Sequence, residues 1–130
     1  MKIENLVLAV KLWLTENGYR LAEDTVKEND HLLTAHQEYG GKPFELKIII
    51  NSTAISLQMK YLGALDITPR TLEIINTINS YNGYDKVFFD EETGTLTGMT
   101  RFPSGSIFKN EIIDLVGKML LVLKEIRGGA

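Results

Sequence analysis

The sequence contains no cysteine. That removes disulfide frameworks, thiolate nucleophiles and cysteine-ligated zinc, and nothing then calls for an oxidising compartment, so a cytoplasmic setting is expected. Histidine is nearly as scarce. His31 and His36 are the only two, and their odd separation along one strand points them to opposite faces, away from a shared metal. Positive charge is in deficit: 14 Lys and Arg against 17 Asp and Glu give a net charge of -3, which lacks the broad phosphate-neutralising surface of a nucleic-acid binder. Long apolar runs are missing too. The stretch 6–10 is flanked by Glu4 and Lys11, and the stretch 112–123 is broken by Asp114, Gly117 and Lys118. Neither approaches the roughly 20 residues that span a bilayer, and the first reads as a helix rather than a secretory signal. No nucleic-acid partner and no membrane association are expected.

Motifs that carry chemistry are also lacking. Ser104-Gly105-Ser106 is a helix-start sequence and not a Gly-x-Ser-x-Gly elbow. The segment 94–98 has neither the spacing nor the following lysine of a phosphate-cradling loop. Asp90-Glu91-Glu92-Thr93-Gly94 has the acids of a calcium loop, but its glycine falls one position early and Arg101 stands where the closing glutamate belongs. Asp66, Asp85 and Asp90 are isolated acids near element ends, suited to turns and caps. No catalytic residue, metal ligand or cofactor site is assigned, and the chain is expected to act by binding.

What is present suits one globular domain over 1–130: 44% hydrophobic and 24% charged residues in a chain long enough to bury a continuous core. Ile3, Leu6, Val7, Val10 and Leu14 recur at helical spacing, with Trp13 on the flank, and Gly18 stops that helix. Residues 19–30 are polar and without a period, so they read as a connection. Three alternating runs follow, Leu33-Ala35-Gln37-Tyr39, Phe44-Leu46-Ile48-Ile50 and Ile55-Leu57-Met59-Tyr61, joined by Gly40-Gly41 and by Asn51-Ser52-Thr53. Glu45, Lys47, Ser56, Gln58 and Lys60 form the other, wet face. Thr68-Pro69 opens a second helix running to Asn82, with Gly83 closing it and Leu72, Ile74, Ile75, Ile78 and Tyr81 as its apolar stripe. Strands 84–90 and 95–102 flank an acidic loop closed by Gly94. A last helix, capped by Ser104 or Ser106, reaches about Ile126 before a loose glycine tail. The predicted class is α+β, in the order α-βββ-α-ββ-α, with an antiparallel sheet and helices on one side.

The pattern leaves apolar helix surface beyond one core face. Leu8 and Leu12 sit opposite the buried stripe of the first helix, where a surface helix is ordinarily polar. On the last helix Ile113, Gly117 and Leu120 lie off the stripe that would cover the sheet. Surplus apolar surface marks interaction sites, so these five are the candidate partner or dimer interface.

Ile75-Asn76-Thr77-Ile78-Asn79, followed by the strand 84–90 and the acidic loop through Gly94, resembles the YbjN-type family of bacterial sensory transduction regulators. The likeness runs over 68–126. It implies a fold similar to type III secretion chaperones, which are small, acidic, usually dimeric and without enzymatic activity. Carried onto this chain, the family's Asn-x-x-Asn pair becomes Asn76 and Asn79. Asn79 falls on the packed side of its helix, where a buried amide needs partners; backbone groups at the helix-to-strand junction are expected to supply them. The segment 98–105 departs from the family in carrying Arg101 and no acid. The expected function is a non-enzymatic protein-binding module, chaperone-like or a regulatory adaptor, acting as a homodimer; the alternative is a small-ligand sensor with a pocket between sheet and helices.

Overall fold

Alternation decides which side of the sheet becomes core. In the computed structural model, which describes residues 2–65, 67–80 and 86–128, the odd positions of β2 (Asp30–Tyr39) bury Leu33 and Ala35. The even positions of β3 (Lys42–Ile50) bury Phe44, Leu46, Ile48 and Ile50, and the odd positions of β4 (Ala54–Tyr61) bury Ile55, Leu57, Met59 and Tyr61. Cross-strand pairing superposes these sets, with Leu33 opposite Ile48 and Ile48 opposite Leu57. One face is therefore continuous and apolar. Each side chain withdrawn there contributes about 1.5–3 kcal/mol of burial.

Two glycines at positive φ, Gly40 (59°) and Gly41 (80°), turn β2 into β3, the left-handed geometry that a two-residue hairpin needs. Between β3 and β4 the Asn51 side chain accepts from the backbone N–H of Thr53 and Ala54 at 3.0 and 2.9 Å, which fixes the turn. Beyond β4 the sheet continues through β6 (Thr95–Pro103) to β5 (Lys86–Asp90). Gly94, at φ 69°, closes the β5–β6 loop with its N–H on the Asp90 carbonyl, and the Asp90 carboxylate accepts from the N–H of Glu92.

The helices lie on the apolar face. Leu6, Val7, Val10 and Leu14 of α1 (Ile3–Glu16) join the same core cluster as Phe108, Ile112, Leu115, Met119 and Val122 of α3 (Phe108–Gly128), and Ile75 and Ile78 of α2 (Pro69–Asn79) complete it. Gly98 of β6 lets α3 approach: a Cβ there would come within 2.8 Å of Leu115 Cδ1 and Met119 Sδ. The α+β class, the antiparallel sheet and the one-sided helical layer stand as read from the sequence.

The element order gains one strand, α-ββββ-α-ββ-α. Residues expected as a connection form β1 (Arg20–Lys27), which pairs with β2 at the sheet edge and gives the order β1-β2-β3-β4-β6-β5. All eight of its side chains are exposed, so there was no buried face to impose a period on the sequence. A bulge between Leu21 and Glu23 interrupts what alternation remained.

Three boundaries also shift. Helix α2 opens on the Thr68 cap and Pro69 as expected, with a reciprocal capping box between Thr68 and Thr71, but it closes at Asn79 and Ser80. The expected Tyr81, Asn82, Gly83, Tyr84 and Asp85, like Asp66, lie outside the described residues. Leu72 is exposed at 47% and Thr71 is buried in its place. Ser104 does not cap α3: its hydroxyl and N–H bind the carbonyls of Ser52 and Thr53 in the β3–β4 turn. The tail expected to be loose from Gly128 is still helical at that residue.

Candidate interaction surfaces

The expected structural pair separates. Asn79 Nδ2 donates to the Val87 carbonyl at 2.5 Å, and Val87 N–H donates back to Asn79 Oδ1 at 2.8 Å, pinning α2 to β5. Asn76 is exposed and stays outside that arrangement.

The five interface candidates divide as well. Leu8 (64%), Leu12 (58%) and Ile113 (57%) are exposed, with no covering element among the described residues. Gly117 is exposed beside Ile113 on α3, with open space where a Cβ would be. Leu120 is different. It packs partly against the core and lines a shallow recess with Tyr39 and Lys42 of the β2–β3 hairpin, so it belongs more to the fold than to a free surface.

The orientation of α1 decides where its bare leucines point. Lys11 reaches Asp24 of β1 at 2.5 Å, while the Trp13 ring stands edge-on to Phe108 of α3, with centroids 6.2 Å apart. These fix two flanks of the helix, one towards the sheet edge and one towards α3. At 100° per residue, Leu8 and Leu12 lie about 60° and 100° beyond Lys11 and Trp13 about 200° beyond it, so both leucines point away from the sheet, on the outer surface of the helix between its two flanks. Trp13 also begins a run of ring contacts through Tyr19, Tyr39 and Phe44 to Tyr61, with centroids 5.4–6.1 Å apart, that stitches α1 to the sheet. Within it the Tyr19 and Tyr39 hydroxyls share a hydrogen bond, and burial holds both phenols above their usual pKa.

The open face of the sheet is less wet than alternation implied. Glu45, Lys47, Ser56, Gln58 and Lys60 occupy it as expected, and His36 lies 3.4 Å from Glu45 there. Among them Leu32, Ile49 (36% exposed) and Met99 (45%) form the floor of a depression of about 310 Å³, rimmed by Glu23, Lys47 and Gln58. The strand β6 supplies Met99, a position that the polar set drawn from β3 and β4 did not cover. A second cleft of about 570 Å³ lies between the N-terminal half of α1 and residues 104–108, lined by Ile3, Leu6, Ala9 and Phe108 with Ser52 and Ser106.

Among the described residues no group of three or more His, Asp or Glu side chains stands together as a metal site. No helix there is long and apolar enough to cross a membrane. No family model, curated protein or solved structure matches this chain.

Proposed function

We propose that the chain is a non-enzymatic protein-binding module that works as a homodimer, chaperone-like or adaptor-like in role and cytoplasmic in setting. The observation that carries this reading is the pair Leu8 and Leu12, more than half exposed on the outer face of α1, which no element among the described residues covers. Two leucines an i, i+4 step apart make a contiguous apolar strip, and covering what they expose contributes to the association of a second chain. The likeness of 68–126 to the YbjN-type family, whose fold is similar to that of the usually dimeric type III secretion chaperones, points the same way, and membership of that family is part of the proposal. Light scattering tests it: the wild type is expected at twice the 14.6 kDa chain mass at micromolar concentration, and Leu8→Glu/Leu12→Glu at the monomer mass. A wild-type monomer overturns the reading.

A second reading rests on the cleft beside α1. Its volume of about 570 Å³ and its mixed apolar and hydroxyl lining are of the general form of small-ligand sites, which supports a sensor reading with the ligand at this cleft. A rise in melting temperature with a small amphiphile, abolished by Ala9→Trp, is its expected signature.

A further inference from the structure

We infer that the second copy docks edge to edge on β1, so that two sheets run on as one of twelve strands with both α1 helices on the same face. This rests on the homodimer proposed above and names its surface. An edge strand offers unpaired N–H and C=O groups along one side, and natural sheets shield such edges by shortness, by bulges or by covering elements. At the far edge, β5 is only five residues long. By contrast, β1 has eight, all exposed, and its bulge sits at the start, leaving Glu23, Asp24, Thr25, Val26 and Lys27 in unbroken register with β2.

Charge then selects the occupant. Strands related by a two-fold axis perpendicular to the sheet place one residue opposite its own copy, with residues of the same face opposite one another. Centring the axis on Glu23 or on Asp24 opposes like carboxylates, and centring it on Val26 sets Asp24 against Glu28. Centring it on Thr25 sets Glu23 of each copy opposite Lys27 of the other, twice. Glu23 and Lys27 share the open face, since they pair with Thr34 and Asp30 of β2. Lys27 has no ion-pair partner among the described residues. The edge is thus complementary to itself in one register.

The helices fit the same axis. The Lys11 contact with Asp24 sets α1 beside β1 on one face of the sheet, and a two-fold perpendicular to the sheet keeps both α1 helices on that same face, one on each side of the axis. One two-fold therefore covers the unpaired strand edge and pairs the spare lysine.

The test is a charge-exchange series followed by sedimentation equilibrium, with circular dichroism to establish that each variant is folded. Glu23→Lys alone and Lys27→Glu alone each place two like pairs at the junction and are expected to weaken dimerisation about tenfold or more. The double variant Glu23→Lys/Lys27→Glu restores the opposite pairs and is expected to recover the wild-type constant. A dimer indifferent to the single exchanges, or not recovered by the double one, overturns the β1 junction and leaves the homodimer in place. A wild type that stays monomeric throughout overturns both. If a single exchange fails to fold, Val26→Pro supplies the second probe, since the two-residue turn makes Lys27–Asp30 and Thr25–Leu32 the hydrogen-bonded pairs and leaves the Val26 N–H facing outward: loss of the dimer is expected, and its persistence counts against the junction.

Discussion

Asn79 closes both of its amide atoms on the main chain of Val87, so a single side chain supplies donor and acceptor where α2 hands over to β5. Val87 is wholly buried, which means that water cannot replace what Asn79 provides. Asn79→Leu is expected to destabilise the fold by about 2 kcal/mol, because it leaves a buried N–H and C=O without partners. Asn76→Ala, on the exposed side, is expected to change stability by less than about 0.5 kcal/mol. Urea unfolding of the two variants checks both; equal effects would remove the distinction between them.

The glycines of β6 and its loop separate two reasons for having no side chain. Gly98 lies where a Cβ would crowd Leu115 and Met119, both wholly buried, whereas Gly94 has open space but a φ of 69°. Gly98→Val is expected to cost about 2–3 kcal/mol by displacing α3, and Gly94→Ala about 1 kcal/mol from backbone strain alone. The contrast shows in thermal melts. Restoring a small residue is the remedy at position 98, and Asn, which tolerates the left-handed region, is the remedy at position 94.

Helix α2 depends on its start. Thr68 accepts from Thr71 N–H at 3.2 Å, and the Thr71 hydroxyl accepts from Thr68 N–H at 3.4 Å. Thr68→Ala is expected to cost about 1 kcal/mol, with Thr68→Ser close to wild type. Chemical denaturation distinguishes them.

Alkaline pH is the condition to which the Tyr19–Tyr39 pair responds. Burial raises both phenols above 10.0, so the folded state holds protons that the unfolded chain releases. Stability from this source is complete below pH 10 and falls as pH rises above it. Denaturation midpoints are expected to drop more steeply above that pH in the wild type than in Tyr19→Phe/Tyr39→Phe; parallel slopes would contradict the assignment.

The sequence disclosed those elements in which burial writes a period. The strands β2, β3 and β4 each alternate because one side meets the helices, and Thr68-Pro69 marks α2 because capping is a local chemistry. The asparagine pair was legible for a similar reason, since position around a helix tells which amide is buried. The strand β1 escaped because hydrogen bonding to β2 holds it in place while no side chain of it is buried, and main-chain pairing leaves little trace in residue choice. Leu72 misled because helical spacing alone counted it as core, whereas the capping box turns Thr71 inward and leaves Leu72 out. The apolar floor of the open face was missed because Leu32, Ile49 and Met99 come from three strands, and only pairing brings them together. For the interface, Leu8 and Leu12 were visible as misfits in a helical pattern, but their relation to β1 required knowing that β1 exists.

Amide hydrogen exchange at two protein concentrations, about 1 µM and about 200 µM, tests most directly whether a second copy covers this surface. Amides of β1, together with the α1 turn carrying Leu8 and Leu12, are expected to slow markedly at the higher concentration while those of β5 do not. Exchange in β1 that is the same at both concentrations, in a sample whose mass has not doubled, would contradict that expectation.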